Sequence, residues 1–256
     1  DQPKHKGLSY FAFPMHQPGV EVRPLRELTG LEMFNEVFLT DTRVADTDMI
    51  GDLNDGWRVA NTTLMVERAG IGGAGVAAPS AAIAGSVAGH LGRPAGSFDN
   101  DAARMGGGGV GHKRVRQFIE LAQGNGRIVD PCVRQDIARL YTLVEITTWH
   151  VGRTRTGNAA TGGEGNLAKL RNSDMTRLAR EIAASILGPG ATIAGSDSPT
   201  GGDMQELIVF SPAPSIYGGT DQVQRNIIGE RVLGLPKEPG PPSATPFKEL
   251  LQNPAR

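Results

Sequence analysis

Apolar residues along this chain follow two periods. Between Leu8 and Leu39 they gather in short runs rich in aromatic and β-branched side chains, Leu8–Phe13, Val20–Val22 and Phe34–Leu39. Such runs predict strands, and Pro18-Gly19 and Thr29-Gly30 punctuate them as turns. From Trp57 the spacing changes to threes and fours. Trp57, Ala60, Leu64, Arg68 and Ile71 share one helical face, which predicts a helix over 57–76 starting after Asp55-Gly56. Further helices are predicted at Lys113–Gln123, Val133–Gly152, Glu164–Leu187 and Asp221–Leu233. The helix from Glu164 carries the clearest stripe, Leu167, Leu170, Met175, Leu178, Ile182 and Ile186, and stops at Gly188-Pro189-Gly190.

Two glycine-rich stretches invite a nucleotide reading, and neither carries it. Gly70-Ile71-Gly72-Gly73-Ala74-Gly75 matches G-x-G-x-x-G, but a dinucleotide site needs a strand before that motif, and here the preceding residues have helical spacing. Each glycine costs such a helix up to about 1 kcal/mol against alanine, so close packing must compensate. The stretch 77–111 ends in Gly106–Gly109 without the Gly-Lys-Ser/Thr of a phosphate-binding loop and is read as a loop.

Composition narrows the picture. The 256 residues carry 26 Lys and Arg against 27 Asp and Glu, a net charge of −1. This balance leaves no electrostatic footprint for nucleic acid, and no apolar run approaches the roughly 18 residues of a membrane span. The single Cys132 excludes an internal disulfide. It follows a proline at a helix start and is expected to be a buried structural thiol. The five histidines are dispersed, so no metal is expected. Glycine, at 35 residues, is about twice its usual share of roughly 7%. Three short strands do not stand alone comfortably. Because the chain opens on Asp1 and almost at once into a strand, it is expected to be a fragment lacking its front. The Pro- and Gly-rich tail from Glu238 is expected to wrap a surface or fray.

Two segments carry a resemblance. Gly19-Val20-Glu21-Val22-Arg23-Pro24-Leu25, Phe34–Val44, Ile50-Gly51 and Asp55-Gly56-Trp57 form the first; Tyr217-Gly218-Gly219-Thr220-Asp221-Gln222 continuing to Pro236 forms the second. In this order and spacing they resemble the acyl-CoA dehydrogenase family over residues 7–239, with a poor match across 85–125. The resemblance implies an α+β organisation: 1–56 as the second part of a middle β-domain, 57–236 as a C-terminal four-helix bundle and 237–256 as a tail, with the family's N-terminal helical domain absent. It also implies FAD-dependent α,β-dehydrogenation of an acyl-CoA thioester to a trans-2-enoyl-CoA. Electron-transfer flavoprotein would be the acceptor, and the enzyme a cytoplasmic homo- or hetero-tetramer.

Many members place the catalytic carboxylate in a Tyr-Glu-Gly-Thr motif, where this chain has Tyr217-Gly218-Gly219-Thr220. Isovaleryl and long-chain types carry it on the first bundle helix before an arginine, where this chain has Val66-Glu67-Arg68. The resemblance therefore implies Glu67 as base, with Arg68 and Gly219 beside substrate. Thr220, Asp221 and Gln222 occupy a flavin-contacting turn, and Gly188 a turn that meets the flavin of a neighbouring subunit. The family's Arg-x-x-Phe-Gly segment is missing, and Arg134 or Arg127 stands in for its arginine. Actinobacterial members with Tyr-Gly-Gly-Thr include mixed tetramers acting on sterol side-chain CoA esters. A catalytically silent structural subunit of a heterotetramer is the alternative, and a helical scaffold without cofactor the third reading.

Overall fold

The computed structural model describes residues 1–72, 110–155, 161–193, 195–237 and 239–250, with the side chains of 65–72, 155 and 196 outside the description. The chain divides into two compact units, one of Asp1–Glu27, Glu32–Arg68 and Pro236–Arg256, the other of Leu28–Leu31 and Ala69–Leu235.

In the first unit β1 (Tyr10–Phe11) pairs antiparallel with β4 (Met49–Ile50), and β2 (Val20–Leu25) pairs antiparallel with β3 (Phe34–Leu39). The strand expected over Leu8–Phe13 is ladder-paired only at two residues, because β4 is itself two residues long; Leu8 makes an isolated bridge to Asp55. The sequence reading missed β4 and stopped β2 three residues early, at Val22 rather than Leu25. Gly19 lies at φ +86°, and a Cβ there would sit 2.1 Å from the Thr40 carbonyl oxygen, so the turn into β2 requires glycine. Arg23 forms a two-pronged pair with Glu21 and lies 4.5 Å from the centroid of the Phe38 ring, a diagonal cross-strand neighbour.

Helix α1 (Gly56–Gly72) starts where the chain grazes β1. The Gly56 N–H donates to the Leu8 carbonyl at 2.8 Å, and a Cβ on Gly56 would come within 2.5 Å of Ser9 backbone carbon. Trp57, read from the sequence as one of the helix-face residues, stacks on His5 with centroids 4.2 Å apart. Gly70 and Gly72 lie inside the helix, so the first half of the G-x-G-x-x-G match is helical and does not form a strand-to-helix phosphate turn. Residues 73–76, and the expected loop 77–111 up to position 109, lie outside the described residues. The tail returns to the start of the chain: Pro3 bridges Pro246, and the Phe247 N–H donates to the Gln2 carbonyl at 3.1 Å.

The second unit holds α2 (His112–Gly124), α3 (Pro131–Arg155), α4 (Glu164–Leu187), α5 (Asp203–Phe210) and α6 (Asp221–Ile227). Its core is Phe118 and Ala122 from α2, Val133, Ile137, Leu140 and Val144 from α3, and Met175, Leu178, Ile182 and Ile186 from α4. The α4 stripe is thus buried from Met175 onward, while Leu167 near its start is 40% exposed. Contacts set α3 antiparallel to α4, with Thr147 late in α3 meeting Met175, whereas Asn125, just after α2, donates to the Ile186 carbonyl at 2.8 Å, so α2 and α4 end side by side. Cys132 corrects the expectation of a buried thiol. It is exposed, because Pro131 and Cys132 open α3 on its outer side and the inward stripe begins at Val133. The Asp130 carboxylate caps the Cys132 N–H at 2.9 Å.

Two features were not read from the sequence. Helix α5 is short, and its place is set by tertiary partners: Arg114 pairs with Asp203, and Gln205 donates to the Gly190 carbonyl at 2.9 Å. The final helix, expected to run unbroken to Leu233, turns π-helical over Ile228–Val232. Val232 lies against the start of α4 so closely that a Cβ on Gly163 would come within 2.9 Å of its Cγ2.

Candidate functional site

The turn from Pro214 to Thr220 is built around two consecutive glycines of positive φ, Gly218 at +64° and Gly219 at +87°. Such a turn has little conformational preference of its own, and α4 supplies the restraint. Lys169, Ser173 and Arg177 are spaced by four, so they project from one face of α4, and all three converge on Asp221, the first residue of α6. Lys169 Nζ lies 2.7 Å from Asp221 Oδ1, Ser173 Oγ lies 2.8 Å from the same oxygen, and an Arg177 guanidinium nitrogen donates to Oδ2 at 2.9 Å. Arg177 also donates to Ser215 Oγ at 2.6 Å, and it pairs with Asp174; Ser173 Oγ lies 2.9 Å from the Pro214 carbonyl. Both ends of the turn are thereby tied to α4.

Asp221 is only 4% exposed. Burial by itself pushes its pKa up, but the Lys169, Arg177 and Ser173 hydrogen bonds outweigh that and hold the carboxyl far below the usual range. A second clamp acts at the middle of the turn. Gln224 Nε2 donates to the Gly218 carbonyl at 2.7 Å, and Asn166 Nδ2 donates to Gln224 Oε1 at 2.5 Å. The Thr220 hydroxyl caps α6 by accepting from the Val223 N–H at 3.3 Å. Tyr217, whose phenol is pushed up by burial, tilts towards the Phe210 ring at 6.3 Å. The N–H groups of Gly218, Gly219 and Thr220 donate no hydrogen bond among the described residues.

The residues singled out from the sequence fall into three places. Gly218, Gly219, Thr220, Asp221 and Gln222 share this turn, with Gln222 exposed and the Asp221 carboxylate fully engaged. Asp221 could therefore meet a ligand only through its backbone. Gly188 ends α4 at φ +54° with open space around its Cα. It lies fifteen residues beyond Ser173, about 22 Å along the helix at 1.5 Å per residue. Arg134 belongs to that far end, because the antiparallel packing sets the start of α3 beside the end of α4. One Arg134 nitrogen donates to the Ile128 and Val129 carbonyls, and Arg127 pairs with Asp130 at 3.1 Å. Glu67 and Arg68 lie within α1, their side chains outside the described residues.

Lys169, Ser173, Arg177, Asn166 and Gln224 were missed in the sequence. The available signal was the i, i+4, i+8 series of polar residues with two cations on a helix that is otherwise an apolar stripe. Such a series needs a buried anion, and the first turn of α6 provides one.

The turn offers a fit for an oxygen-rich cofactor such as FAD, since it presents backbone donors that lack partners and an open position at Gly218, where a Cβ would meet nothing within 4 Å. Comparison with known proteins gives this geometry a family. The profile described as "Acyl-CoA dehydrogenase, C-terminal domain" matches residues 102–233. The acyl-CoA dehydrogenase IpdE1 of Mycobacterium tuberculosis is 33% identical over 92% of this chain and 52% of its own length. The IpdE1 of Mycolicibacterium smegmatis is 35% identical over 92% of this chain and 51% of its own. Among solved structures, the Tcur3481-Tcur3483 steroid ACAD superposes with a TM-score of 0.67 at 22% identity, over 92% of this chain and 54% of that one. The ChsE4-ChsE5 complex from Mycobacterium tuberculosis gives 0.64 at 21%, over 92% of this chain and 55% of that one. The chain spans about half the length of the curated relatives it matches. It belongs to the acyl-CoA dehydrogenase family and carries the C-terminal helical domain of that family.

Proposed function

We propose that the protein containing this chain is an FAD-dependent acyl-CoA dehydrogenase that removes the α and β hydrogens of an acyl-CoA thioester, with Glu67 as base. The observation that carries this reading is a pairing of absence and presence. The turn position at which most members keep their carboxylate is Gly218, and α1 runs unbroken through Glu67-Arg68. A carboxylate on α1 is the base expected when the turn has none. Glu67 accepts the α-proton. Desolvation at a water-poor site raises the affinity of such a carboxylate for that proton. Donors of the kind left unpaired at Gly218 and Gly219 stabilise charge as it develops on the thioester oxygen. Bound FAD would supply the acceptor for the β-hydrogen, which leaves as hydride. Thr220, Gln222 and the Asp221 backbone would hold the cofactor at this turn. Gly188 and Arg134, at the opposite end of α4, would meet the flavin of a neighbouring subunit.

Substrate class and assembly belong to the same proposal. Relatives and neighbours include proteins titled as a steroid ACAD and as a ChsE4-ChsE5 complex. Those titles support a steroid acyl group and a heteromeric assembly; the proposal also takes in branched or long acyl groups, a homo- or hetero-tetramer, and electron-transfer flavoprotein as acceptor. The exposed Val223, Leu233 and Leu235 on and beyond α6 favour assembly. A soluble cytoplasmic location is the reading in keeping with this chemistry; among the described residues no helix is long and apolar enough to cross a membrane. A second reading, a silent structural subunit, is favoured by Gly218 itself and by the missing Arg-x-x-Phe-Gly segment. Anaerobic bleaching of the bound flavin by a panel of acyl-CoA esters separates the two: bleaching with any ester supports the dehydrogenase, and none with all supports the structural subunit.

A further inference from the structure

Residues 1–9 form no strand or helix of their own, so their place depends on what anchors them. One set of anchors is the tail. The Phe247 N–H donates to the Gln2 carbonyl at 3.1 Å, Pro246 bridges Pro3, and the Lys248 N–H donates to Asp1 Oδ1 at 3.4 Å. The tail is braced for this, because Phe247–Glu249 is a 3₁₀ turn in which the Glu249 N–H donates to the Pro246 carbonyl at 3.0 Å. The other set is the start of α1. The Gly56 N–H donates to the Leu8 carbonyl at 2.8 Å, and the Asn54 N–H donates to Ser9 Oγ at 2.9 Å. Between the two sets lies a turn closed by the Lys6 N–H on the Pro3 carbonyl at 2.7 Å. It carries His5, whose ring is 5° from parallel to that of Trp57 with centroids 4.2 Å apart. All of these contacts lie within the first unit.

The stack matters because of where α1 leads. Its first residue, Gly56, is pinned to Leu8, but a helix pinned at one end can still tilt about that point. A ring laid on the second residue, Trp57, opposes the tilt. Glu67 stands eleven residues beyond Gly56. That is about 16 Å along the helix, so a tilt of about 5° shifts it by about 1.4 Å. Misplacing a reacting group by about 1 Å can cost about 10²-fold in rate. On the tail, the Phe247 ring is 60% exposed and adds little packing, so the N–H is what holds Gln2.

We propose that residues 245–249 form a strap that positions the base helix: by holding residues 1–3 they keep the His5 ring on Trp57 and so fix the direction of α1. His5 and Phe247 are then positioning residues, which act on the base through α1. The inference rests on the dehydrogenase reading for Glu67 as base, and on this chain's own contacts for the strap.

The test uses the flavin-loaded holoprotein and four variants. Phe247→Pro removes the N–H that binds Gln2. Proline suits the first position of a helical turn, and Pro246 before it is extended, at φ −55° and ψ 146°, as a residue preceding proline must be. Phe247→Ala loses the ring but keeps the N–H. His5→Ala removes the stack, and serves if Phe247→Pro does not fold; His5→Phe keeps a flat ring. Two readouts are followed. The first is amide hydrogen exchange at Arg58 and Val59, whose N–H groups donate to the Asp55 carbonyl at 3.1 and 3.4 Å. The second is the limiting rate of anaerobic flavin bleaching as acyl-CoA is raised. In Phe247→Pro and His5→Ala, exchange at both amides is expected to quicken about fivefold, the effect of losing one such contact. The limiting rate falls by at least about the same factor, at unchanged flavin content and unchanged half-saturating acyl-CoA. Phe247→Ala and His5→Phe stay within about twofold of the parent in both readouts. The proposal is overturned if Phe247→Pro and His5→Ala leave exchange at the parent rate. It is also overturned if Phe247→Ala exchanges as fast as Phe247→Pro, since the N–H would then be immaterial. Faster exchange without a fall in the limiting rate overturns it too, because the strap would then hold the fold without positioning the base. If the parent bleaches with no acyl-CoA, the dehydrogenase reading falls and takes the positioning role with it; the exchange contrast still decides the strap.

Discussion

Replacing Asp221 by asparagine removes one charge from a cluster that was built around it. The carboxylate is 4% exposed, and the side chains of Lys169 and Arg177, its partners at 2.7 and 2.9 Å, are 11% and 34% exposed. Asparagine keeps the shape but offers one acceptor oxygen in place of two, and its amide hydrogens face a cation. Lys169 is then a nearly buried ammonium without a counter-charge. Breaking a buried pair by removing one partner costs about 3–5 kcal/mol, because the remaining ion stays desolvated. For a unit of this size, each kcal/mol lowers the unfolding midpoint by about 2–4 °C, so the expected fall is about 6–20 °C. Differential scanning calorimetry of parent and variant measures it directly. Lys169→Met combined with Asp221→Asn should be less damaging than the sum of the two single changes, by roughly 0.5–3 kcal/mol, since the second change removes the stranded ion. A fall smaller than about 2 °C for Asp221→Asn, with additive singles, would refute the view that this carboxylate is the electrostatic centre of the α4–α6 junction.

Acid should weaken the same junction. Asp221 has its folded pKa below its unfolded value of about 3.9, so its contribution is complete above about pH 4 and is lost as pH falls through the lower folded value. Glu164, held at about 2 chiefly by the Thr161 N–H, titrates in the same direction. Urea midpoints should therefore be flat from pH 5 to 8 and drop below pH 4, and Glu164→Gln should remove part of that drop. Gly219→Ala should cost more than Gly218→Ala in chemical denaturation. Both add a left-handed penalty of about 1–3 kcal/mol, but only Gly219 also drives a Cβ against Gln224, at 2.6 Å. Gly56→Ala should destabilise the first unit by at least about 1–3 kcal/mol, the cost of overpacking, since its Cβ would meet Ser9 backbone at 2.5 Å; equal stability of Gly56→Ala and parent would contradict that close approach.

Legibility followed the range of the interactions. Helix α4 was read to its observed ends, Glu164 and Leu187, because a buried stripe and a Gly-Pro-Gly stop are both local signals. Strand β3 was read to its ends from another local signal, a short run of aromatic and β-branched residues. What failed depended on distant partners. Helix α5 is held by Arg114 and Gly190, β4 is a two-residue strand defined by pairing with β1, and the π-turn at Ile228–Val232 lies against the start of α4. Cys132 was misread because a helix-start context does not say which side of the helix faces inward. At the site, the turn 217–222 was legible as a motif. The residues that hold it, Asn166, Lys169, Ser173, Arg177 and Gln224, were not, because their roles arise only when α4 and α6 meet. Thr220 and Asp221 were read as cofactor contacts. The structure places the Thr220 hydroxyl on its own helix and the Asp221 carboxylate on α4, which leaves backbone groups for a ligand.

The most direct test of the catalytic assignment is anaerobic stopped-flow bleaching of the holoprotein flavin by acyl-CoA, parent against Glu67→Gln. Glutamine keeps the size of the side chain and cannot accept the α-proton. The expected result is retained flavin and a bleaching rate lower by about 10²–10⁴-fold, the usual contribution of a general base. Bleaching as fast in Glu67→Gln as in the parent would contradict the assignment of Glu67 as the base.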